Sequence, residues 1–131
     1  MLSAAPPGRV ALARGGQAEV KLEVRLRPGY HVNSHAPAED YLIPLRLSWE
    51  PRPFQILEVN YPKPALEKYQ FADKPLSVFS GAFTILSRLK APENAPRGPG
   101  VLLGKLRYQA CTDKLCLPPK TLEVRLSYEI R

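Results

Sequence analysis

Long apolar runs are missing from this chain. No stretch of 18 apolar residues occurs among its 131 residues, so no segment reads as a membrane-spanning helix. An internal repeat, a low-complexity tract and a linker are also missing, and the length leaves room for one domain, 1–131. A signal peptide is not visible: Met1 leads into a Pro/Gly-containing segment without a charged start and an apolar run. An exported protein would then be represented by a trimmed chain, with Met1 a cloning start. Acidic residues are outnumbered, 12 against 19 Lys and Arg, for a net charge of +7. The basic residues alternate along the chain instead of clustering, and no nucleic-acid motif accompanies them. They read as a solvated outer face, which excludes a nucleic-acid partner.

Proline, by contrast, is abundant. Fifteen prolines are spread along the chain, in Pro6-Pro7, Pro51-Arg52-Pro53, Pro62-Lys63-Pro64 and Pro118-Pro119 among others. Proline is excluded from helix interiors and central strands, so this distribution predicts many short strands joined by turns. The hydrophobic period is two. Val20, Leu22, Val24 and Leu26 alternate with Glu19, Lys21, Glu23, Arg25 and Arg27, the pattern of a half-buried strand. It recurs where Leu122, Val124, Leu126 and Tyr128 alternate with Glu123 and Arg125. Further strands are expected over Ile43–Trp49, Phe54–Tyr61, Ser77–Lys90 and Val101–Ala110, with Gly81 marking a bulge or a close backbone approach. The stretches His35–Tyr41 and Ala65–Lys74 read as loops. Turns fall at Arg14-Gly15-Gly16, Arg27-Pro28-Gly29 and Arg97-Gly98-Pro99-Gly100. About seven short strands with this spacing predict an all-β fold, an immunoglobulin-like antiparallel β-sandwich with Trp49 in its core.

The two cysteines carry the chemistry. A strand leads into Cys111, four residues turn, and Cys116 leads into a proline-containing return. Residues opposed in an antiparallel hairpin lie within the Cα separation that a disulfide tolerates, and Asp113 and Lys114 supply turn-compatible polarity at the tip. Three readings follow. A permanent staple would contribute about 2 kcal/mol through ring closure, a modest gain for a domain large enough to fold without it. A metal site is formally available, because Cys111 and Cys116 with His31 and His35 make a Cys₂His₂ set suited to zinc. A reversible disulfide is the third: a small exposed ring beside Lys114 suits redox exchange.

The whole hairpin, Tyr108-Gln109-Ala110-Cys111 before the turn and Cys116-Leu117-Pro118-Pro119 after it, resembles the amino-terminal periplasmic domain of the thiol:disulfide interchange protein DsbD. Upstream, Pro28-Gly29-Tyr30-His31-Val32 looks like the Gly-Tyr strand of that family. The resemblance implies an immunoglobulin-like, monomeric, periplasmic domain, cut from a longer membrane protein, that is the reductase component of an electron-transfer relay. Electrons would come from a transmembrane domain through a thioredoxin-like domain. They would pass to periplasmic disulfide oxidoreductases, including isomerases and cytochrome-maturation thioredoxins. No cofactor beyond the redox-active disulfide, and no metal, is implied. By motif position Cys116 forms the mixed disulfide and Cys111 resolves it. Phe71 matches the family's aromatic cap, with Tyr69 a second candidate, while Lys114, Glu67, His31 and Tyr30 are candidates for tuning. The ring is one residue shorter than in the family member compared. The acidic residues expected before the cap aromatic are replaced by Tyr69 and Gln70, with Glu67 as a nearby substitute. The rival function is a non-catalytic, protein-binding immunoglobulin-like module with a structural disulfide, and the zinc site stands third.

Overall fold

A computed structural model describes residues 2–131, so Met1 lies outside the described residues. The described residues form strands and turns and no helix. In chain order the strands are β1 (Leu2–Ala5), β2 (Val10–Leu12), β3 (Gln17–Leu26), β4 (His31–Asn33), β5 (Arg46–Trp49) and β6 (Gln55–Asn60). They continue as β7 (Ala65–Glu67), β8 (Leu76–Ser80), β9 (Ala82–Lys90), β10 (Gly98–Tyr108), β11 (Ala110–Cys111) and β12 (Lys120–Ile130).

Two four-stranded sheets make the sandwich, in the orders β1-β3-β9-β6 and β2-β12-β10-β5. All pairings are antiparallel except β2 with β12, where Pro6-Pro7-Gly8 carries the amino-terminal segment from one sheet to the other. The period-two pattern of β3 is realised as expected: Val20, Leu22, Val24 and Leu26 are buried and the residues between them are not. They join Ile85 and Leu89 of β9, Leu102 and Leu106 of β10, and Val124 and Leu126 of β12 in one core. Trp49 closes that core. Its indole Nε1 donates to Ser87 Oγ at 2.8 Å, a bond that crosses from β5 in one sheet to β9 in the other. Gly104 lies opposite Trp49 in the register, and a Cβ there would meet the indole at 2.7 Å, so only glycine lets the ring lie flat on β10.

A third sheet, β11-β4-β8-β7, extends the sandwich at one end, and its strands are continuations of sandwich strands. β3 passes into β4 through the turn Arg27–Tyr30, where Gly29 has a φ of 89°. β8 passes into β9 at Gly81, whose φ of 66° needs a residue without a Cβ penalty. The expected strand Ser77–Lys90 is therefore two strands in different sheets, and Gly81 is the corner between them instead of a bulge within one. β10 likewise ends at Tyr108, and after Gln109 the chain joins β4 as β11. Three other expectations change. Gly98-Pro99-Gly100, read as part of a turn, opens β10 and pairs with Tyr128–Ile130 of β12. Ala65–Glu67, read as loop, forms the short edge strand β7 on β8, because main-chain pairing there requires no side-chain alternation. The strand expected from Ile43 begins at Arg46, since Pro44 has no N–H for a ladder bond. The segment before it is held instead by Asn33 Nδ2, which donates to the Ile43 carbonyl at 3.1 Å, and by the Leu45 amide, which donates to the Ser34 carbonyl.

Candidate functional site

The site is built where β11 runs along β4. Cys111 and Cys116 are joined in a disulfide, with their Cα atoms 3.9 Å apart. The turn between them is organised by Thr112. Its amide donates to the Leu115 carbonyl at 2.8 Å, and its Oγ1 accepts from the amides of Lys114 and Leu115, both at 3.2 Å. Beyond the ring the Leu117 amide donates to the Ala110 carbonyl at 2.9 Å, and Gln109 Nε2 donates to the Leu117 carbonyl at 3.1 Å. The two sulfur-bearing residues have opposite environments. Cys111 is 1% exposed, whereas Cys116 is an exposed residue, flanked by Leu115 at 53%. An attacking thiolate needs a reachable sulfur, and this turn exposes Cys116 and hides Cys111.

His31 stands directly opposite Cys111 in the β4–β11 register, so the two side chains lie on the same face of the sheet. It is 2% exposed, and its Nε2 has no hydrogen-bond partner. Burial lowers its pKa from 6.5 to about 4, with the charge of Asp113 acting the other way, so the imidazole is neutral at neutral pH. A lid of aromatic rings covers it. Tyr69 stacks on His31 with centroids 3.9 Å apart and planes within 10°. Phe71 lies 6.2 Å from His31 and 5.8 Å from Tyr69, nearly parallel to both. The loop carrying these rings is bound to itself and to the cysteine turn. Lys68 Nζ donates to the carbonyls of Tyr69 and Ala72, the Ala72 amide donates to the Tyr69 carbonyl, and the Gln70 amide donates to Asp113 Oδ1 at 3.3 Å. Burial raises the pKa of Tyr69, with Glu67 and Asp113 adding to the effect, so its phenol stays protonated.

Of the residues expected from sequence, Cys111, Cys116, His31, Tyr69 and Phe71 are brought together. Tyr30 is half-buried and packs on the sandwich core. Glu67 is exposed on β7, and Lys114 is exposed at the tip of the turn. His35 is an exposed residue whose ring stacks on Tyr61 at 4.6 Å, apart from the His31 stack. Among the described residues no group of three or more His, Cys, Asp or Glu side chains is placed to hold a metal ion. Sequence reasoning missed two members. Asp113, read only as turn polarity, supplies a carboxylate to the cap loop from the opposite side, where Tyr69 and Gln70 had left none. Thr112 sets the shape of the ring. The signal was present for Thr112, a residue type that bonds neighbouring backbone amides in turns, but not for Asp113, whose amide partner Gln70 is 43 positions away.

Residues 2–127 match the family model described as the N-terminal region of the thiol:disulfide interchange protein DsbD. The chain belongs to that family. Membership assigns it to thiol–disulfide interchange and to partners of that chemistry, and this DsbD N-terminal fold carries a Cys111–Cys116 disulfide. No curated protein sequence matches the chain. Among solved structures, a family 123 glycoside hydrolase from Clostridium perfringens aligns over 98% of this chain and 27% of its own, at 16% identity and a TM-score of 0.38. So distant a likeness carries no argument about this protein.

Proposed function

We propose that this chain is a periplasmic DsbD-type exchange domain that relays reducing equivalents from a thioredoxin-like or transmembrane donor to periplasmic oxidoreductases. A donor thiolate attacks Cys116, forms a mixed disulfide and is resolved, leaving Cys111 and Cys116 reduced. In the outward step the Cys116 thiolate attacks the partner's disulfide, and Cys111 then attacks Cys116 to release the reduced partner. The observation that carries this reading is the asymmetry of the pair: Cys116 is exposed where the chain leaves the turn, while Cys111 is buried opposite His31, on which Tyr69 stacks. A permanent staple has no need of one reachable sulfur. The cap rings Phe71 and Tyr69 shield the ring until a partner displaces them, which limits wasteful oxidation in an oxidising compartment.

The test is the equilibrium reduction potential of Cys111–Cys116, titrated against glutathione with thiol trapping. A value of roughly −180 to −270 mV, the range of thioredoxin-like carriers, supports a relay. A value below about −300 mV identifies a structural disulfide and moves the reading to a protein-binding module. Trapping sharpens it further: a Cys111→Ala variant should accumulate a mixed disulfide with a thioredoxin-like protein through Cys116, and a Cys116→Ala variant should not.

A further inference from the structure

Opening the disulfide places charge in an unusual spot. When a donor thiolate attacks Cys116 Sγ, the new bond joins donor sulfur to Cys116 and the Cys111–Cys116 bond breaks. Its electron pair leaves on Cys111 Sγ as a thiolate. The second donor thiol, deprotonated, then attacks the donor sulfur of the mixed disulfide and frees Cys116. The donor is oxidised to a disulfide, and the Cys111–Cys116 pair has gained two electrons. Cys116 can be solvated by water, but Cys111 is buried, where an unpartnered anion is costly.

A polar side chain stands opposite that position in the strand register. His31 is the register partner of Cys111, is buried with it, and carries an Nε2 that nothing else satisfies. A buried polar atom without a partner destabilises the fold, and such atoms persist where function needs them. We propose that His31 is the hydrogen-bond donor for the thiolate left on Cys111, its imidazole carrying a proton on Nε2 and presenting it to Cys111 Sγ as the disulfide opens. The proton stays on His31 through the exchange and the thiolate takes up its own from solvent afterwards, so the imidazole stabilises the leaving group without being consumed. The Tyr69 ring, stacked at 3.9 Å, holds the imidazole in place, and Nε2 is buried in the disulfide form. The inference rests on the exchange reading above and adds to it the group that makes a buried cysteine a competent leaving and resolving thiol.

The experiment is the rate of reduction by dithiothreitol, followed in the wild type, His31→Phe and His31→Gln. Phenylalanine keeps a ring against Tyr69 and removes the nitrogen, whereas glutamine restores an amide donor. His31→Phe should be reduced about tenfold more slowly, the scale of one hydrogen bond to a charged group, and His31→Gln should recover part of the loss. In a Cys111→Ala background, alkylation of Cys116 by iodoacetamide should proceed equally with His or Phe at position 31, because no charge then arrives on Cys111. A His31→Phe rate within twofold of wild type, a His31→Gln rate as slow as His31→Phe, or a parallel fall in Cys116 alkylation would each overturn the proposal. Nitrogen-15 NMR of the wild-type imidazole decides the matter without a variant: the His31 Nε2 signal should shift between disulfide and dithiol forms, and an unchanged signal overturns the assignment. A wild-type protein that fails to exchange with any thioredoxin-like protein sinks the exchange reading instead, and the two failures are distinguishable.

Discussion

The sandwich and the small end sheet are built from the same short strands to different standards. In the sandwich, alternation is clean along β3 and β5, and the buried polar side chain of Ser87 is bonded to Trp49. In the end sheet β4 is buried along its whole length, and four of the five buried polar residues, His31, Asn33, Ser34 and Ser77, lie on or beside β4 and β8. Ser34 and Ser77 satisfy each other at 2.8 Å, but His31 Nε2 and Asn33 Oδ1 have no partner, and both belong to β4. Each such atom costs about 1–3 kcal/mol. The comparison teaches where stability is made and where it is given up: the sandwich supplies the surplus, and the end sheet spends it holding polar groups beside a disulfide.

The largest effect that would sharpen this contrast is on activity alone. Cys116→Ser should abolish thiol–disulfide exchange while lowering stability by only about 2 kcal/mol, the ring-closure contribution, as read by a urea midpoint. A larger loss would mean that the ring is a staple after all. Leu22→Ala should do the reverse, lowering stability by about 2–5 kcal/mol through loss of packing in the core while the folded protein keeps its reduction potential. A shifted potential would couple the two regions more tightly than their separate sheets suggest.

Smaller effects address the cap and the buried histidine. Phe71→Ala should expose the pair to small thiol reagents severalfold, measured as the rate of reduction by dithiothreitol, and an unchanged rate would remove Phe71 from the gate. His31 links the site to pH. Its pKa is about 4 when folded, against the ordinary 6.5 of an exposed imidazole, so between those values the unfolded chain binds more protons than the native one. Stability from this residue is therefore complete above about pH 6.5 and falls as the pH drops toward about 4. The difference in urea midpoint between wild type and His31→Phe should change across that window and level off below it. The smallest effect belongs to the surface: breaking the exposed Arg9–Glu129 pair with Arg9→Ala should cost less than about 1 kcal/mol, visible only as a slight shift in thermal midpoint.

Much of the sandwich was legible because one-sided burial writes itself into every second residue. β3 and β12 are the plainest cases, and the cysteine motif announced its own turn. The end sheet was poorly legible for the opposite reason. β4 is buried on both faces over only three residues, β7 is exposed throughout, and β11 has two residues, so none has room for a period. Gly81 showed that something interrupts the chain there. Whether glycine makes a bulge or a corner depends on which sheet the next strand joins, which neighbouring residues do not encode.

By itself, then, the sequence determined the all-β class, the faces of the long strands and the covalent proximity of Cys111 and Cys116, because each depends on residues near one another in the chain. Only the tertiary structure decided that Cys111 is the buried sulfur and Cys116 the exposed one. It also decided that His31, 80 positions away in sequence, stands opposite Cys111, and that Asp113 reaches the cap loop. The physical reason is the same in each case: these relations are set by strand register across β4 and β11 and by a loop folding back over them, and pairing of that kind depends on the closure of the whole sheet.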